Sequence, residues 1–185
     1  MNLTKLFETQ AALDEHIMQG HPELRGQNNI DWKLLALQVE LGECANEWRG
    51  FKKWSKDQEP RTKAESICGC IMCEHHSIPN KKNPLLEEYV DCLHFILSIG
   101  LEHEFEELVD GLAIEPLHFG DVTQQFTVLM RTDWEMYEDG HGGYYHEGLE
   151  LFVGLGEMLG FTWEQVEESY YEKNKINHLR QENGY

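Results

Sequence analysis

Apolar residues recur at helical spacing along most of the chain, and the alternation expected of strands is scarce. Leu3, Leu6, Phe7, Leu13 and Ile17 mark a first helix from Asn2 to about Gly20, which Pro22, Gly26 and a polar run then break. Asp31 is suited to cap a second helix reaching about Gly50. From Ser55 to Asn83 no period is sustained and Pro60 and Pro79 intervene. That stretch exceeds ordinary loop length, the mark of a segment that is functional, metal-stapled or mobile. Asn83-Pro84 opens a third helix, because proline at the first helical position gives up only an N–H that lacks a partner anyway. Its pattern runs to about Phe105, with Val109 as an outer limit. Gly111 to Gly120 is irregular. Asp121 opens a helix carrying Val122, Phe126, Leu129, Met130 and Trp134, closed by Gly140, Gly142 and Gly143. Another spans about Tyr145 to Leu159 and stops at Gly160. Thr162 and Gln165 form a capping box for the last, which continues almost to the C-terminus. The pattern predicts one all-α domain over residues 1–185, a helical bundle with a long insertion at about 55–83.

Within that pattern the placement of certain acids is unusual. Glu40, Glu43 and Glu47 form one stripe on the second helix. Leu37, Leu41, Cys44 and Trp48 flank it on one side, and Trp32, Leu35 and Val39 on the other, so the stripe is not expected to face bulk water. The third helix repeats the arrangement. Glu88 and Asp91 share a face with Cys92, Phe95 and Ile99, while Leu85, Leu86, Tyr89, Val90, Leu93, Ile96 and Leu97 cover most of the rest. Ionised carboxylates among so many apolar residues require compensating cations. Paired acids on one helix are common on solvated faces. Two pairs on two apolar helices instead predict four carboxylates around one point, an all-oxygen site favouring Mg²⁺ or Mn²⁺ over zinc. A di-iron centre would need Glu-x-x-His on two helices. That spacing falls at Glu115/His118 and Glu138/His141, beside Pro and Gly, and only Asp91/His94 has it in a firm helix.

Charge narrows the classes further. Asp and Glu number 34 against 15 Lys and Arg, a formal charge of −19, which disfavours nucleic-acid and anionic-membrane partners and suits divalent cations. The longest apolar runs are broken by Glu, His or Gly, and Met1 to Gln10 lacks the layout of a secretion signal, so a cytoplasmic protein is expected. Five cysteines without such a signal argue against a disulfide framework. On the last helix Val166, Tyr170, Lys173, Asn177 and Arg180 share a face that begins apolar and ends cationic. Those cations meet either a bound phosphate or neighbouring glutamates. Arg49 to Trp54 offers Lys52 or Lys53 for phosphate and Trp54 for stacking on a base, or else a helix end with a core Trp. In the insertion, Cys68, Cys70 and Cys73 with His75 or His76 could form a structural zinc site, although the cluster is more compressed than two well-separated ligand pairs.

Three blocks resemble the all-α, dimeric-type dUTPase family, which is related to the MazG-like NTP pyrophosphohydrolases. They run from Leu35 through Glu43 to Trp54, from Asn83 through Asp91 to His103, and from Tyr171 to Tyr185, and they cover less than half of the chain. The two acidic pairs alone resemble α-helical NTP pyrophosphohydrolases at large; the final block, K-N-x-x-N-x-x-R-Q-x-x-G-Y, resembles dUTPases. The resemblance implies Mg²⁺-dependent hydrolysis of dUTP to dUMP and pyrophosphate, by attack of water on the α-phosphate. It implies Glu40, Glu43, Glu88 and Asp91 as metal ligands, with Glu40 or Glu43 also orienting or deprotonating the water. Lys173, Asn177 and Arg180 would contact the nucleotide and its phosphates, helped by Lys52, with Trp54 and Gln10 at the base. Lys53 stands where the family has Trp. The resemblance further implies a homo-oligomer, a dimer or larger. A dCTP or broad-specificity pyrophosphatase would use the same acids, whereas a non-catalytic, partner-binding bundle would need none of them.

Overall fold

The computed structural model of the chain describes residues 2–63, 65–66, 78–79, 83–105, 113–134 and 143–184. It is all-α. Asn2 accepts a hydrogen bond from the Lys5 amide at 3.1 Å and starts α1 (Leu3–Gly20). A single 3₁₀ turn (Pro22–Leu24) follows. α2 (Ile30–Trp48) begins ahead of expectation, with Asn29 at the cap position and Asp31 inside the first turn. The Asn29 side chain binds Leu24 O and the Trp32 indole, each at 3.1 Å, while Asn28 Oδ1 accepts from the Ile30 amide at 2.9 Å. These asparagines do at the helix entry what was expected of Asp31.

Arg49 ends α2 in the left-handed region, φ 66°. Its buried guanidinium donates to Asp57 O and pairs with the Asp57 carboxylate at 2.9 Å, tying the following segment back to the helix. Beyond it, β1 (Glu65–Ser66) and β2 (Ile78–Pro79) form an antiparallel pair, the only sheet among the described residues. Cys68, Cys70, Cys73 and His75 lie outside the described residues.

α3 (Pro84–Glu102) starts as expected, with Asn83 Oδ1 accepting from the Leu86 amide. It ends at Glu102, and the outer limit at Val109 lies outside the described residues. α4 (Val122–Leu129) has the Asp121/Gln124 capping box but stops at Leu129, well short of Gly140. Trp134 takes a φ of 57° and buries its ring edge-on to Tyr145; tertiary burial overrides helical continuation here. α5 (Gly143–Met158) and α6 (Trp163–Glu182) complete the bundle, and both bonds of the Thr162/Gln165 capping box are present.

α3 is the central helix. It packs most extensively on α2 and also meets α1, α5 and α6. Leu85, Tyr89, Leu93, Ile96 and Leu97 are sealed from solvent, as the near-continuous apolar surround predicts. Tyr89 stacks on Phe152 at 4.2 Å and donates to its carbonyl, while Tyr145 donates to Ile96 O, so two phenols bolt α5 to α3. Close approach also requires Gly154, where a Cβ would collide with the Leu117 carbonyl. No helix among the described residues is long and apolar enough to cross a membrane.

The surround of the α2 acids also differs from expectation. Only one apolar flank of the α2 acidic stripe is covered, with Leu37, Leu41 and Cys44 buried. Leu35, Val39 and Trp32 remain 63%, 50% and 42% exposed. Periodicity identifies apolar flanks but not which of them the rest of the chain covers.

Candidate active site

Packing of Leu37, Leu41 and Cys44 against α3 turns the acidic stripe of α2 toward the acids of α3. Glu40, Glu43 and Glu88 each contribute one oxygen to a group lying within 4.8 Å of one another. Burial first, then the nearby Asp91 and Glu43 charges, raises the Glu40 pKa to about 7. Burial, followed by Asp91, Glu43 and Glu40, does the same to Glu88. The arrangement therefore holds more negative charge than it can ionise comfortably at neutral pH. Three carboxylates with no Cys or His among them fit a hard divalent cation.

Asp91 stands beside this trio rather than within it. Its Oδ2 accepts from Lys173 Nζ at 2.6 Å, and Lys173 also reaches Glu87 at 3.2 Å. Burial keeps the Asp91 pKa above the ordinary value even so. Burial opposes the Lys173 charge too, but the hydrogen bond and attraction of Asp91, with Glu87, hold its pKa above that of a free lysine.

A cavity of about 330 Å³ opens beside the acids. Glu40 and Asp91 form part of its wall, and Gln10, Asn177 and Arg180 line it as well. Arg180 donates to Asn177 Oδ1 at 3.3 Å. Three other substrate-contact candidates are not in the wall: Lys173, Trp54 and Lys52. Trp54 is 78% exposed and packs edge-on against Phe51, and the Lys52 ammonium donates to Asn46.

Asp14, Lys33, His94 and Ser98 are among the cavity residues that the sequence does not mark as binding residues. Gln10 donates to Asp14 at 2.7 Å, and Gln10 Oε1 lies 2.8 Å from His94 Nδ1 and 3.0 Å from the Tyr170 hydroxyl. Ser98 donates to Asp14 at 2.5 Å. The Lys33 ammonium lies 3.5 Å from Asp14 and 2.6 Å from Glu102. His94 stacks on Tyr170 at 4.4 Å; burial, then the Lys173 charge, pushes its pKa down to about 3, so the ring is neutral. A signal for part of this network existed. Lys33 falls on the buried stripe of Leu37 and Leu41, and Gln10 and Asp14 on that of Leu6, Leu13 and Ile17.

Against known families, the model for dUTPase matches residues 2–67 and 74–185. Comparison with curated proteins gives no match.

Proposed function

The chain belongs to the dUTPase family and is a dUTP diphosphatase, and from that premise we propose that Glu40, Glu43, Glu88 and Asp91 hold Mg²⁺ while the adjoining cavity takes the deoxyuridine end of the substrate. Mn²⁺, also a hard cation, would suit the same oxygens. Bound there, the cation supplies Lewis-acid polarisation of the phosphates and offsets the charge of the acids.

Glu40 or Glu43 orients a water and takes its proton. The water oxygen bonds to the α-phosphorus, the bond to the bridging oxygen breaks, and pyrophosphate leaves dUMP behind. No covalent enzyme intermediate is required, so the buried thiols Cys44 and Cys92 have no part in the reaction. Lys173, Asn177 and Arg180 share one face of α6 and contact the phosphates and sugar, where cations and an amide meet the negative charge that remains. Gln10 faces the base. The exposed apolar flank of α2 at Trp32, Leu35 and Val39 supports assembly into a homo-oligomer, since a contiguous apolar strip on a soluble bundle favours burial against another copy.

The observation that carries the reading is the convergence of Glu40, Glu43 and Glu88 from two helices, with the lysine-paired Asp91 beside them. A nucleotide panel with a pyrophosphate readout, run with and without Mg²⁺, tests it; turnover of dUTP only with the metal is expected. Glu43→Ala and Asp91→Ala should each lower kcat by at least about 100-fold while the far-UV spectrum is retained. Full activity in either variant defeats the assignment.

A further inference from the structure

A carboxamide has chemically opposite ends, and the network around Gln10 fixes which way it points. Asp14 Oδ1 lies 2.7 Å from the Gln10 side chain. A carboxylate only accepts, so the amide nitrogen must face it. The Gln10 oxygen then accepts from the Tyr170 hydroxyl and from His94 Nδ1, which occupies both of its lone pairs. His94, a neutral imidazole, thus carries its one proton on Nδ1. Asp14 is itself held in place, by the Ser98 hydroxyl at 2.5 Å and the buried Lys33 ammonium at 3.5 Å. Glu102, 2.6 Å from Lys33, fixes that ammonium from the other side. With its oxygen saturated and one N–H committed to Asp14, Gln10 has a single group left for the cavity it lines, its second N–H.

We propose that Asp14 and Lys33 are positioning residues for base selection: by locking the Gln10 amide, they make the cavity present a donor to the pyrimidine edge. That donor pairs with the O4 carbonyl of uracil and opposes the amino group that cytosine carries at the same position. The inference rests on the dUTP-hydrolase reading above and adds what enforces the base preference. Asp14→Asn preserves size but supplies an N–H of its own, so the Gln10 amide is free to turn over and show its oxygen. Lys33→Met removes the counter-charge that steadies Asp14.

The test is kcat/KM for dUTP and dCTP, by pyrophosphate release with Mg²⁺, for the unaltered protein and both variants. The unaltered protein should prefer dUTP. In Asp14→Asn that preference should fall by about 10-fold or more, through KM rather than kcat, with a smaller fall in Lys33→Met. Imidazole ¹⁵N NMR of the unaltered protein should find His94 protonated on Nδ1, a readout that needs neither variant to fold. A folded Asp14→Asn that keeps the whole preference, or a His94 protonated on Nε2, overturns the inference. So does an unaltered protein that cleaves dUTP and dCTP equally. If it cleaves neither, the hydrolase reading itself fails, and the His94 tautomer still decides whether the amide is locked.

Discussion

Titrating Mg²⁺ into the metal-free protein across a pH series interrogates the acid cluster directly. Glu40 and Glu88 both have pKa values of about 7, and a cation that binds them as carboxylates must displace whatever protons they carry. Taken as independent, the two are ionised together in about a quarter of molecules at pH 7, about four-fifths at pH 8 and about one in a hundred at pH 6. Apparent affinity should therefore rise about 3-fold from pH 7 to 8 and drop about 30-fold from pH 7 to 6. Near pH 7 each ion bound should release about one proton. Calorimetry in two buffers of different ionisation enthalpy measures both quantities. Glu40→Gln should remove more than half of the released proton, because losing the Glu40 charge also lowers the Glu88 pKa. An affinity flat from pH 6 to 8, with heats independent of buffer, would refute the argument that burial and mutual repulsion crowd protons onto this site.

The same crowding affects stability without metal. Because the folded Glu88 pKa lies above the ordinary glutamate value of 4.5, the unfolded chain ionises first as pH rises from there toward 7, and stability is lost over that window. Glu88→Gln should then gain about 1 kcal/mol at pH 8, a figure discounted for partial solvation, and nothing at pH 4, as read by urea unfolding of the metal-free protein. Gly154→Ala should lose about 2 kcal/mol in the same assay, since the added methyl meets the Leu117 backbone carbonyl rather than a movable side chain. Leu35→Asp combined with Val39→Asp should shift the mass measured by light scattering toward that of one chain; an unchanged multimer would place the interface elsewhere.

The acids and the helix starts were legible because both follow local rules. Three-residue spacing puts Glu40 with Glu43 and Glu88 with Asp91, and side-chain caps mark Asn83, Asp121 and Thr162. What escaped depends on contacts between distant segments. His94–Gln10 and Ser98–Asp14 each join residues 84 positions apart, and no helical period reports such a pairing. By spacing alone Asp91/His94 resembles an iron-ligand pair, whereas the structure turns His94 toward Gln10. The end of α4 differs from its periodicity for a related reason: Trp134 continues the period of Phe126 and Leu129, but its burial against Tyr145 needs a backbone that leaves the helix. Trp54 has the ring expected of a base-stacking residue, yet it lies outside the cavity wall with its indole in solvent.

Glu88, Asp91, His94 and Ser98 all ride on α3, a single 19-residue rod bolted in place by the phenols of Tyr89 and Tyr145. The rod acts as a common ruler: a slip along its axis displaces the acid cluster and the cavity-lining residues by the same amount. Lesions far from the cavity, such as a trimmed side chain beneath Ile96, should therefore blunt turnover and base discrimination in step, without first yielding an enzyme that is fast but careless.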